Sequence, residues 1–397
     1  MTSRPRILLL STSLGLGGAD RQILYLARAL LANGFEVRLV SMTPLLEMGR
    51  QAVGEGLPIT SLEMNRGQAD WASFQRFVTI LREWRPHVLT SFMYHANLLG
   101  RLAGRWAGVP LIVTSIRSEQ NGSAARDWLM RLTNWMDDSC TTNSNEVAES
   151  LRKRHLLPGA GKASVIANGV DTIAMSGTAA DRERVRAELG LSSGTFLWLA
   201  VGRLWEQKDY PTMLTAFQPL ASAPARLAIA GRGPLLDELK LLAERLRISG
   251  DVTFLGVRHD IPALLSAADG FVLSSAWEGM PNVVMEALAA AVPVVATRVG
   301  GVSELVEPDK SGFVVSPRDP GALSEAMQRL MKLPREQLKQ MGQHGRQHIA
   351  ANYGMRSMAQ RWIELFEELL KRKGIAVSDA GAVAAVPQPT RVAEPHV

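Results

Sequence analysis

Cysteine is nearly missing from this chain: Cys140 stands alone among 397 residues. A single thiol excludes an internal disulfide and any cysteine-ligated zinc or iron–sulfur centre, and it suits a reducing cytoplasm. Long hydrophobic runs are missing as well. No uncharged apolar stretch reaches the roughly 18 residues of a membrane span, so the chain is expected to be soluble or peripheral. No D-x-D carboxylate pair occurs, and the seven histidines show no metal-ligand spacing. A metal-dependent transferase of the carboxylate-pair type is therefore disfavoured, and no metal is expected.

What is present is the balance of a folded protein, 46% hydrophobic and 21% charged. The net charge of +6 is uneven, because residues 1–175 hold 19 basic against 14 acidic side chains. A mildly basic first half fits an anionic surface or substrate and is far too dilute for a nucleic-acid binder. The apolar run after Arg6 is too short for a signal peptide and leads into a glycine-rich segment, so it reads as a first buried strand.

Short apolar runs alternate with amphipathic stretches along the chain, the pattern of βαβ units on parallel sheets. Strands are expected at 6–13, 36–41, 88–92, 111–116, 138–142 and 164–167, and in a second series at 195–201, 226–230, 252–255, 270–274, 292–296 and 312–315. A Gly/Ala/Thr stretch around 171–185 separates the two. The expected organisation is a first Rossmann-like domain over 1–171, a second over 185–354, a helix over 355–372 and an unstructured tail over 373–397. Two such sheets in one chain face each other across a cleft.

Several segments fall at strand ends. Gly15-Leu16-Gly17-Gly18 joins the first strand to a helix, where glycines admit close approach and free amides face an anion. A tight structural turn explains it equally well. Arg203 and Lys208 follow the strand 195–201 and form a cationic clamp for a diphosphate, or else two solvated surface charges. Glu278-Gly279-Met280-Pro281-Asn282-Val283 ends a strand and starts a helix, with Glu286 read as about two turns inside. The sharp reading gives sugar hydroxyls to Glu278 and ribose hydroxyls to Glu286; the bland one makes the first a cap and the second a solvated side chain. His95 and Arg117 follow two strands of the first half and are candidates at the acceptor side. Trp71, Phe74, Phe77, Trp84, Trp106, Trp128 and Trp135 interleave with arginines, a composition that suits either an anionic membrane surface or core aromatics with snorkelling arginines.

Taken in order, residues 6–371 resemble the retaining GT-B glycosyltransferases of family four (glycosyl transferases group 1), of the type that assembles exopolysaccharide and lipopolysaccharide. The carriers are Gly15–Gly18, Asn168-Gly169-Val170-Asp171, Gly202-Arg203 with Lys208, Gly231-Arg232-Gly233-Pro234, Phe254-Leu255-Gly256, and the pair Glu278 and Glu286 around Gly279, Pro281 and Asn282. The resemblance implies a UDP- or GDP-sugar donor, a glycan or lipid-linked glycan acceptor, action at the inner face of the cytoplasmic membrane, and no cofactor or metal. It further implies that Arg203 and Lys208, with the amides of Asn282 and Val283, hold the diphosphate. Glu286 would take the ribose and Glu278 the donor sugar, with Gly279, Met280 and Pro281 shaping the loop. Gly231, Gly233, Val257 and Arg258 would line the base pocket, and Gly17 and Gly18 would close the site from the other half. Where many relatives carry a histidine after the strand 111–116, this chain has Arg117, which leaves His95 as a substitute by position. The alternatives are a nucleotide-sugar epimerase of the same fold and, from other classes, a nicotinamide oxidoreductase or a nucleotide-binding module. The oxidoreductase lacks its G-x-G-x-x-G with a following acid.

Overall fold

A computed structural model describes residues 4–15, 17–65, 70–118 and 122–375. Leu16 and most of the expected tail, from 376 onward, lie outside the described residues. The first half runs β1 (Arg6–Ser11), α1 (Gly18–Ala32), β2 (Glu36–Ser41), α2 (Glu47–Gly54), β3 (Ile59–Ser61), α3 (Trp71–Trp84), β4 (Val88–Phe92), α4 (Tyr94–Ala107), β5 (Leu111–Ile116), α5 (Ala124–Thr133), β6 (Ser139–Thr142), α6 (Asn145–Lys153) and β7 (Ala163–Val165). The second half continues α7 (Ala179–Glu188), β8 (Phe196–Val201), α8 (Tyr210–Phe217), β9 (Ala225–Ala230), α9 (Leu236–Arg245), β10 (Val252–Gly256), α10 (Ile261–Ala267), β11 (Gly270–Leu273), α11 (Asn282–Ala289), β12 (Val294–Thr297), α12 (Val302–Leu305), β13 (Gly312–Val315), α13 (Pro320–Met331), α14 (Arg335–Asn352) and α15 (Met355–Arg372).

Every strand pair is parallel. The sheets are ordered β3-β2-β1-β4-β5-β6-β7 and β10-β9-β8-β11-β12-β13. Parallel strands covered on both faces must be apolar on both, and Ile7, Leu8, Leu9 and Leu10 are all fully buried. Odd and even positions of β1 feed different cores. Ile7 and Leu9 join α1 and α15, while Leu8 and Leu10 join α3 and α4. The strand order reverses between β1 and β4 in one sheet and between β8 and β11 in the other. At such a switch point the adjacent crossovers leave on opposite faces and open a crevice at the carboxyl ends of the strands.

Although α15 comes last, it packs on the first sheet. Trp362, Ile363 and Phe366 share a core with Phe92, Val113 and Ile166, and the Trp362 ring lies 5.6 Å from that of Phe92. Among the strands, the three-residue edge strand β3 was absent from the expected pattern.

Candidate functional site at the two switch points

The loops after β8 and β11 are adjacent because their strands are paired, and side chains bind them together. Ser274 Oγ donates to the Lys208 carbonyl at 2.8 Å, the Ala276 amide to the Gln207 carbonyl at 2.8 Å, and Gln207 Nε2 to the Trp277 carbonyl at 3.1 Å. Glu278 sits inside this junction. Its Oε1 accepts from Lys208 Nζ at 2.6 Å and Ser275 Oγ at 2.7 Å, and its Oε2 from Gln207 Nε2 at 3.3 Å. Both oxygens are engaged, so the carboxylate is held in one orientation.

Glu286 lies just over one turn into α11 rather than two, since the helix begins at Asn282. It is buried beside Val284, Met285 and Ala287. Burial raises its pKa, while Arg21 and Lys208 oppose that rise. Arg21 Nη2 lies 2.7 Å from its Oε1 and reaches it from α1, in the opposite half. Neither glutamate is solvated, with 7% and 5% exposure for Glu278 and Glu286. The bland reading of a cap and a surface side chain therefore fails. Lys208 pairs with one carboxylate and acts electrostatically on the other. Arg203 is exposed above the Trp205 ring, 5.6 Å from its centroid.

The turn at 279–282 is pressed against the first half. No side chain fits on Gly279, because its α-carbon packs against the Arg117 carbonyl, and its own carbonyl accepts from the Gly301 amide at 2.6 Å. Asn168 Nδ2 donates to the Met280 carbonyl at 3.1 Å and to Asn282 Oδ1 at 2.6 Å, while Asn168 Oδ1 accepts from Arg117 Nη2. Pro281 precedes α11, whose first amides, those of Asn282 and Val283, have no intrahelical acceptor. Gly231, at φ 148°, and Gly233 bring their loop onto the backbones of Gly202 and Leu204, where no Cβ fits.

From the other side, Gly18 lies against the Asn282 side-chain amide, and Gln22 exchanges two hydrogen bonds with the backbone of Gly169 at 2.7 and 2.8 Å. The glycine loop departs from its expected chemistry. The amides of Gly15 and Gly17 both donate to Asp20 Oδ2, at 2.9 and 3.1 Å, so the anion they face is the chain's own. Burial pushes the Asp20 pKa up, and Arg203 across the cleft counteracts it.

His95 is exposed in the first turn of α4, directly after β4 at the first switch point. Its pKa is lowered by partial burial and then by Arg126, which favours the neutral imidazole. Arg117 is half-buried, and burial pulls its pKa down to about 10. Val257 is exposed, whereas the Arg258 guanidinium forks onto Asp260 at 2.8 Å through two nitrogens and also meets Glu188. It thereby ties α7 to the loop after β10. Motif reading passed over Asp20, Arg21, Gln207, Ser275 and Asn143. Asn143 is 2% exposed between Arg117 and Gly279, and among the described residues its Oδ1 has no hydrogen-bond donor. Only Asp20 carried a local signal, as an acid in the first turn of a helix.

Comparison with known proteins places this geometry. Residues 17–169 match the glycosyl transferase 4-like domain, and residues 181–348 match glycosyl transferases group 1. An Escherichia coli protein named UDP-Gal:alpha-D-GlcNAc-diphosphoundecaprenol alpha-1,3-galactosyltransferase is 29% identical over 66% of this chain and 70% of its own length. A D-inositol 3-phosphate glycosyltransferase of Corynebacterium urealyticum is 34% identical over 49% of this chain and 48% of its own. Among solved structures, Anabaena HepE in complex with UDP superposes with a TM-score of 0.80 at 20% identity, covering 91% of this chain and all of the other. Two matched models that together span most of the chain, on two facing parallel sheets, make this protein a GT-B glycosyltransferase of the group 1 family.

Proposed function

We propose that the chain moves a glycosyl group from a UDP- or GDP-sugar to a lipid-linked glycan acceptor in cell-surface polysaccharide assembly, at the inner face of the cytoplasmic membrane. Transfer keeps the anomeric configuration and requires no metal. The observation that carries this reading is Lys208, set between Glu278 and Glu286 at the β8/β11 switch point with Arg203 beside it. In the reaction the bond between the anomeric carbon and the diphosphate oxygen breaks, the acceptor hydroxyl bonds to that carbon, and its proton passes to the departing diphosphate. Charge grows on that diphosphate, and two preorganised cations with the first amides of α11 meet it. Glu278 orients the sugar hydroxyls, and Glu286 exchanges Arg21 for the ribose. Two relatives support the donor and acceptor classes: the Escherichia coli protein is named for a UDP-sugar and a diphosphoundecaprenol-linked sugar, and HepE holds UDP. His95, at the rim of the first switch point, is the acceptor-side candidate.

Calorimetric titration with UDP and GDP in EDTA tests this. Binding of one of the two is the expected result. Failure of both to bind refutes the donor assignment, and epimer formation from UDP-sugar without acceptor replaces transfer with epimerisation.

A further inference from the structure

The aromatic residues of the first half divide sharply. Phe77 is core, but Trp71, Trp106, Trp128 and Trp135 are between 59% and 66% exposed. Four large indoles left in water on one half of a folded chain lack a packing explanation. They are also ordered. On α5 and the turn after it, Trp128, Leu132 and Trp135 recur at helical spacing and are all exposed, while Met130 and Thr133 turn inward. On α4, Leu102 and Trp106 do the same. Trp71 stacks on Phe74 at 5.1 Å, and Phe74 meets the Trp106 ring edge-on at 6.4 Å. Arg105, at the end of α4, donates to the Met136 carbonyl beside Trp135. The three helices α3, α4 and α5 cover the same side of the first sheet, so the stripes lie side by side.

The charge around them is predominantly positive. Residues 71–136 contain eight arginines and three acids, five of the chain's six net charges. Arg101 is internal, paired with Asp137, and Arg105 at the surface pairs with Asp138 at 3.0 Å, but Arg82, Arg85 and Arg131 are exposed. Of the described acids in that span, Asp127 is paired with Arg154, leaving Glu83 exposed. Indole rings favour the boundary between headgroups and acyl chains, and guanidinium groups favour anionic headgroups.

We infer that the outer face of α3, α4 and α5 docks on an anionic lipid bilayer, with Trp106, Trp128 and Trp135 as interfacial anchors and Arg82 and Arg131 on the headgroups. The face is continuous with the site. His95 begins the exposed stripe of α4 at the cleft rim, and Trp106 ends it about 16 Å further along the helix. A lipid-linked sugar therefore reaches the cleft while its chain stays in the bilayer. That purpose rests on the proposed acceptor; the docking itself is measured without donor or acceptor.

The test is flotation of the full chain with phosphatidylcholine vesicles containing about one-third phosphatidylglycerol, in parallel with phosphatidylcholine alone and with about 0.5 M salt. Binding to the anionic vesicles is expected, and weak binding under the other two conditions. Replacing Trp106→Ser, Trp128→Ser and Trp135→Ser together should lower partitioning at least roughly tenfold while UDP binding and thermal unfolding stay as in wild type. In wild type, brominated acyl chains should quench indole fluorescence, a readout that needs no variant. The inference is overturned if wild type stays unbound, if zwitterionic vesicles bind as well, if the triple variant binds normally, or if these substitutions instead dissolve a dimer. Failure of wild type to bind either UDP or GDP would overturn the donor reading and leave docking standing.

Discussion

The Arg21–Glu286 pair joins the two halves, and removing one partner should register in stability with a defined pH dependence. Breaking a buried pair costs about 3–5 kcal/mol when a charge is left without compensation. Arg21 is 41% exposed against 7% for Glu286, so solvent screening reduces the cost of Arg21→Ala to roughly 1–2 kcal/mol. For a unit of this size that is a fall of about 2–8 °C in Tm. The sign follows from burial, which lifts the Glu286 pKa above its ordinary 4.5. A carboxyl that binds protons more tightly when folded favours the native state below the unfolded pKa, and that gain is lost as pH rises through the folded one. Without Arg21 the folded pKa moves further up and the loss extends to higher pH. Scanning calorimetry should therefore show a small difference between Arg21→Ala and wild type near pH 4.5 and the full difference near pH 8. In a Glu286→Gln background the same substitution should cost little at either pH. An equal penalty at both pH values, or an undiminished one in the Gln background, would refute the coupling.

Two further outcomes follow from the site and the core. Arg203→Ala combined with Lys208→Ala removes both cations, and kcat/KM for donor turnover should fall by roughly 3 kcal/mol or more, read as initial rates of nucleoside diphosphate release in EDTA. Near-normal turnover would exclude electrostatic stabilisation by these residues. Arg101→Met leaves Asp137 buried and without the guanidinium that binds it at 2.6 and 2.8 Å; chemical denaturation should show a loss of about 3–5 kcal/mol, most of it restored by Asp137→Asn in the same chain.

Much of this architecture was legible because parallel strands buried on two faces write themselves as unbroken apolar runs. The expected runs 36–41, 88–92, 111–116 and 312–315 coincide with β2, β4, β5 and β13, and α15 has the expected ends because its apolar stripe is long. β3 escaped notice for the opposite reason, since three edge residues carry no period. In the site, the two glutamates were paired by their own spacing, but their partners were not. Arg21 and Gln207 reach them through the juxtaposition of two domains and of strand ends, which no local pattern records, while Ser275 meets Glu278 within the same loop. Asp20 shows how a legible motif left two readings open. Glycines at a strand–helix junction offer amides, yet the chain supplies the acceptor three residues beyond Gly17, so the expected anion site is internally filled. The tryptophans were ambiguous because helical spacing shows only that Trp128, Leu132 and Trp135 share a side. Which side faces the sheet was decided by Met130 and Thr133.

The placement of α15 also has a consequence for how the molecule is made. The first sheet is complete by residue 165, but its core is closed by Trp362 and Phe366, and the chain joins the halves again where Val170 pairs with Gly354. The second half is thus an insertion within the first. During synthesis the first half emerges with part of an apolar sheet face uncovered and keeps it so until α15 has been translated. Its last contacts are among the most non-local in the molecule and carry the largest loop-closure cost. The half that starts first therefore closes after the second, and a chain cut short after α14 would release a folded second half tethered to a partly uncovered, aggregation-prone partner.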